Sequence, residues 1–220
     1  MIFITGDLHG AADFEKLNKI NGLEEDVILI AGDFGVLWEA VPDEMERNLI
    51  AKLEGLGPTV LFIDGNHENF DRLDALETRE LFGADVGVVS DKIFHLRRGR
   101  IYTIDNKTFF AFGGAPSPDK IKRLKNNTYW EREIPNREEY ELAIKNLEGA
   151  DFKVDYVLTH DAPAAVKGMV SGYCSLDGSE NYLNDFREKI VFKKWYFGHY
   201  HQDRILGDYI ALYNDISVLR

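Results

Sequence analysis

Five short clusters in this 220-residue chain carry side chains that can hold metal ions: Asp7-Leu8-His9, Gly32-Asp33, Asn66-His67-Glu68, Thr159-His160 and His199-Tyr200-His201. Residues two apart in an extended segment point to the same side, so Asp7 and His9 can share one ion, and the pair His199 and His201 repeats the spacing. The donors are carboxylate, amide and imidazole, with no thiolate. Such a set suits Mn, Fe or Zn better than Cu(I) or a closed structural zinc site. Asp7, His9, Asp33, Asn66, His160, His199 and His201 are too many ligands for one small ion but fit two if a carboxylate bridges them. Asp33, alone on its segment between the other groups, is the expected bridge. Five of the six histidines fall in these clusters. His95 is left over, and is read as a strand histidine near solvent or hydrogen-bonded in the core.

The elements around the clusters explain how they could meet. Ile2 to Thr5, Val27 to Ala31 and Thr59 to Asp64 are short β-branched and aromatic runs that predict buried strands. Between them, Ala11 to Ile20 and Glu44 to Leu56 place apolar residues at helical spacing. The order βαβαβ predicts a parallel sheet covered by helices, with the clusters just beyond the carboxyl ends of the strands. From Val86 to Gly114 the strands Ile93 to Leu96, Ile101 to Ile104 and Thr108 to Phe112 follow one another closely, which predicts a meander. A helix over Arg137 to Leu147, strands at Val154 to Thr159 and Lys194 to Phe197, and a hairpin-rich set from Arg204 to Leu219 complete the reading. Asn69 to Leu81 is expected to be an amphipathic helix.

Bulk composition narrows the function classes. With 45% hydrophobic residues, 220 residues build one well-packed domain over 1–220 more comfortably than two. The single cysteine, Cys174, cannot form an internal disulfide, which favours a reducing compartment. No signal-peptide pattern opens the sequence, and no apolar run approaches the roughly 18 residues needed to span a bilayer, so a cytoplasmic protein without a membrane partner is expected. The net charge of −12 disfavours loose attachment to long nucleic acids, although an acidic protein can still bind phosphate through cations.

The ordered blocks Asp7-x-His9, Gly32-Asp33, Gly65-Asn66-His67-Glu68, Thr159-His160 and Gly198-His199-x-His201 resemble the calcineurin-like metallophosphoesterases, and they span nearly the whole chain. The resemblance implies an α/β fold, a four-layer αββα sandwich of two mixed sheets flanked by helices. It implies one metal held by Asp7, His9, Asp33 and His201 and a second held by Asp33, Asn66, His160 and His199. The implied reaction is hydrolysis of a phosphate mono- or diester by a metal-bridging hydroxide, with ions roughly 3.5 to 4 Å apart and His67 as the general acid. The chain looks like a small bacterial-type member. Relatives that are protein Ser/Thr phosphatases carry Arg before the Gly-Asn-His block and Asp three residues after the bridging Asp, where this chain has Asp64 and Val36. The clamp for phosphate and the usual partner of the acid histidine are therefore missing.

Substrate contacts are expected from Gly113 to Asp119 and onward, with Gly114, Ser117, Arg123 and Trp130 as candidates. Paired glycines permit close backbone approach, and an aromatic beside cations can stack a base. The alternative is a surface loop capped by a packed tryptophan. Arg97, Arg98 and Arg100 are read as a solvated turn, and Tyr173, Cys174 and Asp177 as loop residues that either line the crevice or do not. The expected substrate is a phosphorylated small molecule or nucleotide. A metal-dependent nuclease using Lys120, Lys122, Arg123 and Lys125 and a non-catalytic scaffold of the same fold are the competing readings. Oligomeric state is left open by the sequence.

Overall fold

Alternation within the apolar runs decides which layer each side chain joins. In the strand Val27–Ile30, Ile28 and Ile30 join a cluster containing Leu17, Leu49, Leu53 and Phe70. Leu29 joins Leu61, Phe109, Leu158 and Tyr196 in a different one. A third cluster sets Phe110, Phe112, Trp195 and Phe197 against Ala143, Leu147, Val166 and Phe186. The three apolar layers lie between helices and sheet, between two sheets, and between the second sheet and its own helices. The result is an αββα sandwich.

A computed structural model describes residues 1–171 and 178–220 of the chain. The strands are β1 (Ile2–Thr5), β2 (Val27–Ile30), β3 (Thr59–Phe62), β4 (Glu77–Leu81), β5 (Ala84–Val88), β6 (Ile93–Leu96), β7 (Arg100–Ile104), β8 (Lys107–Phe112), β9 (Tyr156–Thr159), β10 (Lys194–Phe197), β11 (Arg204–Leu206), β12 (Tyr209–Ala211) and β13 (Ser217–Leu219). The α-helices are α1 (Glu44–Glu54), α2 (Phe70–Asp74), α3 (Lys120–Lys125), α4 (Arg137–Gly149), α5 (Ala164–Ser171) and α6 (Gly178–Lys189). The first sheet runs β13-β1-β2-β3-β6-β5-β4 and the second β11-β12-β10-β9-β8-β7. β1, β2, β3 and β6 are parallel, as are β8, β9, β10 and β12, and the remaining pairs are antiparallel. Both sheets are mixed, as expected.

Helix starts follow local chemistry. The Asp43 carboxylate accepts the Glu46 N–H at the head of α1, and Asn136 and Glu139 form a reciprocal capping box at α4.

Several expectations need correction. The segment from Asn69 to Leu81 is not one helix. α2 ends at Asp74, and Glu77–Leu81 becomes the edge strand β4, because β5 returns antiparallel and takes up its backbone groups. Ala11 to Ile20 forms only a six-residue 3-10 helix, Phe14–Lys19. The run from Val86 to Gly114 is no single meander: β6 belongs to the first sheet and β7 to the second, with Arg97 to Gly99 crossing between them. At the end of the chain β11 and β12 form the expected hairpin, while β13 crosses back to pair with β1.

That crossing also overturns the solvated-turn reading for Arg98. Its guanidinium is buried and bonds the Asp64 carboxylate through Nε at 2.8 Å and Nη2 at 2.5 Å, with Glu139 on its other arm at 3.0 Å. His95 Nε2 reaches the same carboxylate at 3.1 Å, the core-histidine alternative. Burial would raise the Asp64 pKa, but Arg98 and His95 outweigh it and hold the carboxyl well below the usual range. Arg97 and Arg100 remain half-buried, with Arg100 paired to Asp85. Tyr173, Cys174 and Asp177 lie outside the described residues.

Candidate metal centre

The five clusters converge past the carboxyl ends of β1, β2, β3, β9 and β10, where hydrogen bonds stitch the loops together. The N–H groups of Leu8 and His9 donate to the Asp33 carbonyl, the His67 N–H to Asp33 Oδ1 at 2.6 Å, and the His199 N–H to Asp7 Oδ1 at 2.8 Å. The buried Glu68 carboxylate accepts the N–H groups of Phe34, Gly35 and Gly65, tying the second loop to the third. Burial and the charge of Asp33 push its pKa up to about 8. Three glycines of these loops have no room for a side chain: a Cβ on Gly32 would strike His160, one on Gly65 would strike Asp33 and His160, and one on Gly198 would strike Asp7. His9, Asp33, His199 and His201 all adopt positive φ, between 46° and 69°. Non-glycine residues avoid that region unless the surroundings over-determine it.

Two imidazoles are fixed by hydrogen bonds on their outer nitrogens. His9 Nδ1 lies 2.7 Å from an Asp13 carboxylate oxygen, and His160 Nδ1 lies 2.7 Å from the Ala31 carbonyl. Both partners are acceptors, so each Nδ1 carries the hydrogen and, in the neutral ring, Nε2 carries the lone pair. His9 Nε2 faces Asp33 Oδ2 at 3.2 Å. His160 Nε2 faces Asp33 Oδ1 and the Asn66 amide oxygen, both at 3.3 Å. Asp7 Oδ2, buried and without a hydrogen bond, faces His201 Nε2 at 3.1 Å. Each of these contacts needs a proton or a metal ion between the two atoms, and a donor set of carboxylate, amide and imidazole in this arrangement fits metal ions.

The protonation tendencies carry the same message. Burial opposes charge on His160 and His9, yet Asp33 outweighs it and raises them to about 10 and about 9. Burial likewise opposes ionisation of Asp33 and Asp7, and the neighbouring histidines keep both below the ordinary carboxylate value. Metal binding would release such protons, because the ligands must be unprotonated. Burial lowers the pKa of His199, which suits a neutral ligand.

Among the described residues, three groups of ligand atoms lie within 4.8 Å of one another: Asp7, His9 and His201; His9, Asp33 and His67; and Asp7, Asp33 and His160. Asn66 joins the third group through His160. His199 enters none of the three, its ring lying edge-on to that of His160 at 5.0 Å. A family model for the calcineurin-like phosphoesterases matches residues 1–203. The chain belongs to the calcineurin-like phosphoesterase family. Comparison with curated proteins returns no match. Membership makes this phosphoesterase a metal-dependent hydrolase of phosphoric esters, on the mixed two-sheet fold described above. No helix among the described residues is long and apolar enough to cross a membrane.

The residues expected to touch substrate lie as follows. Gly114 donates its N–H to the Asp64 carbonyl and packs on Glu133. Ser117 is buried against the Glu133 carboxylate. Arg123 is 3% exposed and donates to the carbonyls of Asn66 and Thr128 and to the carboxylate of Glu133 at 3.1 Å. It therefore braces the Asn66 backbone from behind. Trp130 is half-buried, donates its indole N–H to Asp71 and sets its edge toward Trp38. On α3, Lys120, Lys122 and Lys125 are exposed while Arg123 turns inward, so the basic strip is split.

Three residues near the site, Asp13, Lys16 and Trp38, escaped the sequence reading, whereas Asp119 belongs to the stretch expected to touch substrate. Asp13 sits one helical turn beyond His9, the only local signal it offered. Lys16 is buried, donates to the carbonyls of Gly6, Asp7 and Tyr213, and is lowered by burial to about 8. Trp38 stands 6.3 Å from the His67 ring. Asp119 has one buried carboxylate oxygen without a hydrogen bond. No carboxylate bonds the His67 side chain among the described residues. Burial lowers the His67 pKa, with the charge of Asp33 opposing, Arg123 and His9 adding to the fall, and Asp119 opposing it.

Proposed function

We propose that this phosphoesterase uses two divalent ions, with Asp33 as the shared ligand, to hydrolyse a phosphate mono- or diester of a small molecule or nucleotide. Asp7, His9 and His201 complete one ligand set, and Asn66, His160 and His199 the other. The observation that carries the reading is the orientation of Asp33: Oδ2 faces His9 Nε2 at 3.2 Å and Oδ1 faces His160 Nε2 at 3.3 Å. A carboxylate that presents one oxygen to each of two imidazoles supports the bridging role. The all-O/N donor set favours Mn, with Fe or Zn as alternatives.

When bound, paired ions supply an acidified water and neutralise phosphoryl charge. The chain supplies the rest. The His67 N–H holds Asp33 Oδ1, so the general acid is tied to the bridging carboxylate. Its imidazole, bonded by no carboxylate among the described residues, is available to protonate the leaving oxygen. Asp13 and Ala31 orient the imidazoles of His9 and His160 toward the centre. Lys16 fixes the backbone of Gly6 and Asp7 with a buried ammonium.

The test is metal stripping and reconstitution of the full chain with Mn(II), Fe(II) or Zn(II), with metal content and turnover of chromogenic mono- and diesters as readouts. Two ions per chain, metal-dependent turnover and loss of both on Asp33→Asn are expected. Protein that retains one ion, or that cleaves neither ester with any metal, would overturn the proposal.

A further inference from the structure

His67 and His9 line one side of a cavity of about 390 Å³, whose other walls include Val36, Trp38, Met45 and Leu49. Val36 and Leu49 are buried, while Met45 is 64% exposed and marks the outer wall. The volume is at the small end of the roughly 300–1,000 Å³ range of ligand pockets, enough for one compact group and too small for a polymer. Trp38 is held from several sides: the Trp130 ring meets it edge-on at 6.2 Å, the Arg123 guanidinium lies 5.9 Å from its centroid, and its carbonyl accepts from Asn69 at 2.9 Å. An aromatic wall fixed in advance loses little freedom when a ring stacks on it.

The charges around the cavity are one-sided. Glu39, Asp43 and Glu46 line it, and none of the residues lining it is lysine or arginine. Asp43 is occupied in capping α1, and Glu46 is bound by both arms of Arg72 at 2.8 and 2.9 Å. A second phosphate placed here would face Glu39 and Asp43, with no lysine or arginine among the described residues that line the cavity. The position of Val36 points the same way: it offers an apolar wall close to the acid histidine.

We propose that this cavity is the leaving-group pocket and that it takes one uncharged aromatic group of nucleoside type. The proposal rests on His67 being the general acid. If His67 protonates the leaving oxygen, the group bonded to that oxygen must lie on the His67 side, which is the cavity. In the step itself a water oxygen bonds to phosphorus and gives up one proton to solvent, the phosphorus–oxygen bond to the nucleoside breaks with its electron pair going to the leaving oxygen, the proton of His67 goes to that oxygen, and solvent re-protonates His67. For a monoester the products are inorganic phosphate and the nucleoside.

The test compares kcat/KM of the Mn(II)-loaded full chain for a nucleoside 5′-monophosphate, glycerol phosphate, phosphocholine and a nucleoside 3′,5′-bisphosphate. The monophosphate should exceed each of the others by at least about tenfold, the scale of one stacked ring. In Trp38→Ala the ratio of nucleoside ester to glycerol phosphate should fall about tenfold. Met45→Lys changes an exposed side chain and adds a cation at the outer wall, so it should improve the bisphosphate up to about fivefold. Equal turnover of the aromatic and aliphatic esters, a preference for phosphocholine, or a best rate on the bisphosphate would overturn the pocket assignment while leaving the hydrolase reading intact. Failure to cleave any ester would instead overturn the proposed function, and the pocket assignment with it.

Discussion

Replacing Asp13 should weaken one metal site and spare the other. Its Oδ2 lies 2.7 Å from His9 Nδ1, and its Oδ1 accepts the Tyr213 hydroxyl at 3.1 Å. Tyr213 in turn stacks on the His201 ring at 4.6 Å and 9°. Asp13 therefore orients two of the three residues in the Asp7, His9 and His201 group. The described residues show it no hydrogen bond to His160, Asn66 or His199. A hydrogen bond involving a charged group contributes about 1.5–3 kcal/mol. The Asp13 side chain is 16% exposed, which places the effect toward the lower end. In Asp13→Asn the amide oxygen can still accept from His9, and the loss of about 1.4 kcal/mol is tenfold in affinity. Asp13→Ala leaves Nδ1–H without a partner and frees Tyr213, so a loss of about 100-fold is expected, the upper end for ligand-orienting partners. The assay is a two-step Mn(II) titration by calorimetry or chelator competition. One step should weaken by these factors and the other should keep its affinity within about twofold, well inside the tenfold that 1.4 kcal/mol represents. Equal weakening of both steps, or no change in either, would refute the reasoning.

Other perturbations probe the rest of the molecule. Arg98→Met leaves the Asp64 carboxylate buried without its guanidinium and should cost about 3–5 kcal/mol at pH 7 by urea unfolding. The folded-state pKa of Asp64 is depressed, so its stabilising contribution is present above the unfolded value near 4 and is lost as pH falls toward the folded value. The gap between wild type and variant should therefore narrow below about pH 4, and a gap that stayed constant from pH 7 to pH 3 would contradict this. Lys16→Met strips a buried donor from three carbonyls and should lower stability by about 3 kcal/mol, read as a fall in Tm. His67→Ala should retain both ions and slow an ester with a poor leaving group by about 10²–10⁴-fold, with a smaller effect on a 4-nitrophenyl ester that needs little protonation. Unchanged turnover of the poor-leaving-group ester would remove His67 from the role of acid.

What was legible along the chain was local. Buried β-branched runs marked β1, β2 and β3, and their glycine-aspartate and glycine-asparagine ends marked where the donors sit. Helical spacing marked α1, because that signal is complete within a few residues, whereas the caps at Asp43 and Asn136 emerge only in the structure. The candidate ligands could be named from residue type and spacing, since histidine is scarce in this chain and five of its six histidines fall in the clusters.

Pairing between distant segments was not legible. Glu77–Leu81 continues the apolar series Phe70, Leu73 and Leu76 with Leu81, which reads as a helix, yet it is a strand because β5 lies beside it, a fact that belongs to β5. Arg98 reads as a surface charge until Asp64, 34 residues earlier, is placed against it. The support Asp13 gives to His9 and His201, the Trp38 wall and the cavity beside His67 arise from segments that meet only after the two sheets have packed. Side-chain type and short-range periodicity are properties of the chain alone. Which charge is buried, which ring is held and what chemistry a cavity admits depend on neighbours that folding brings together.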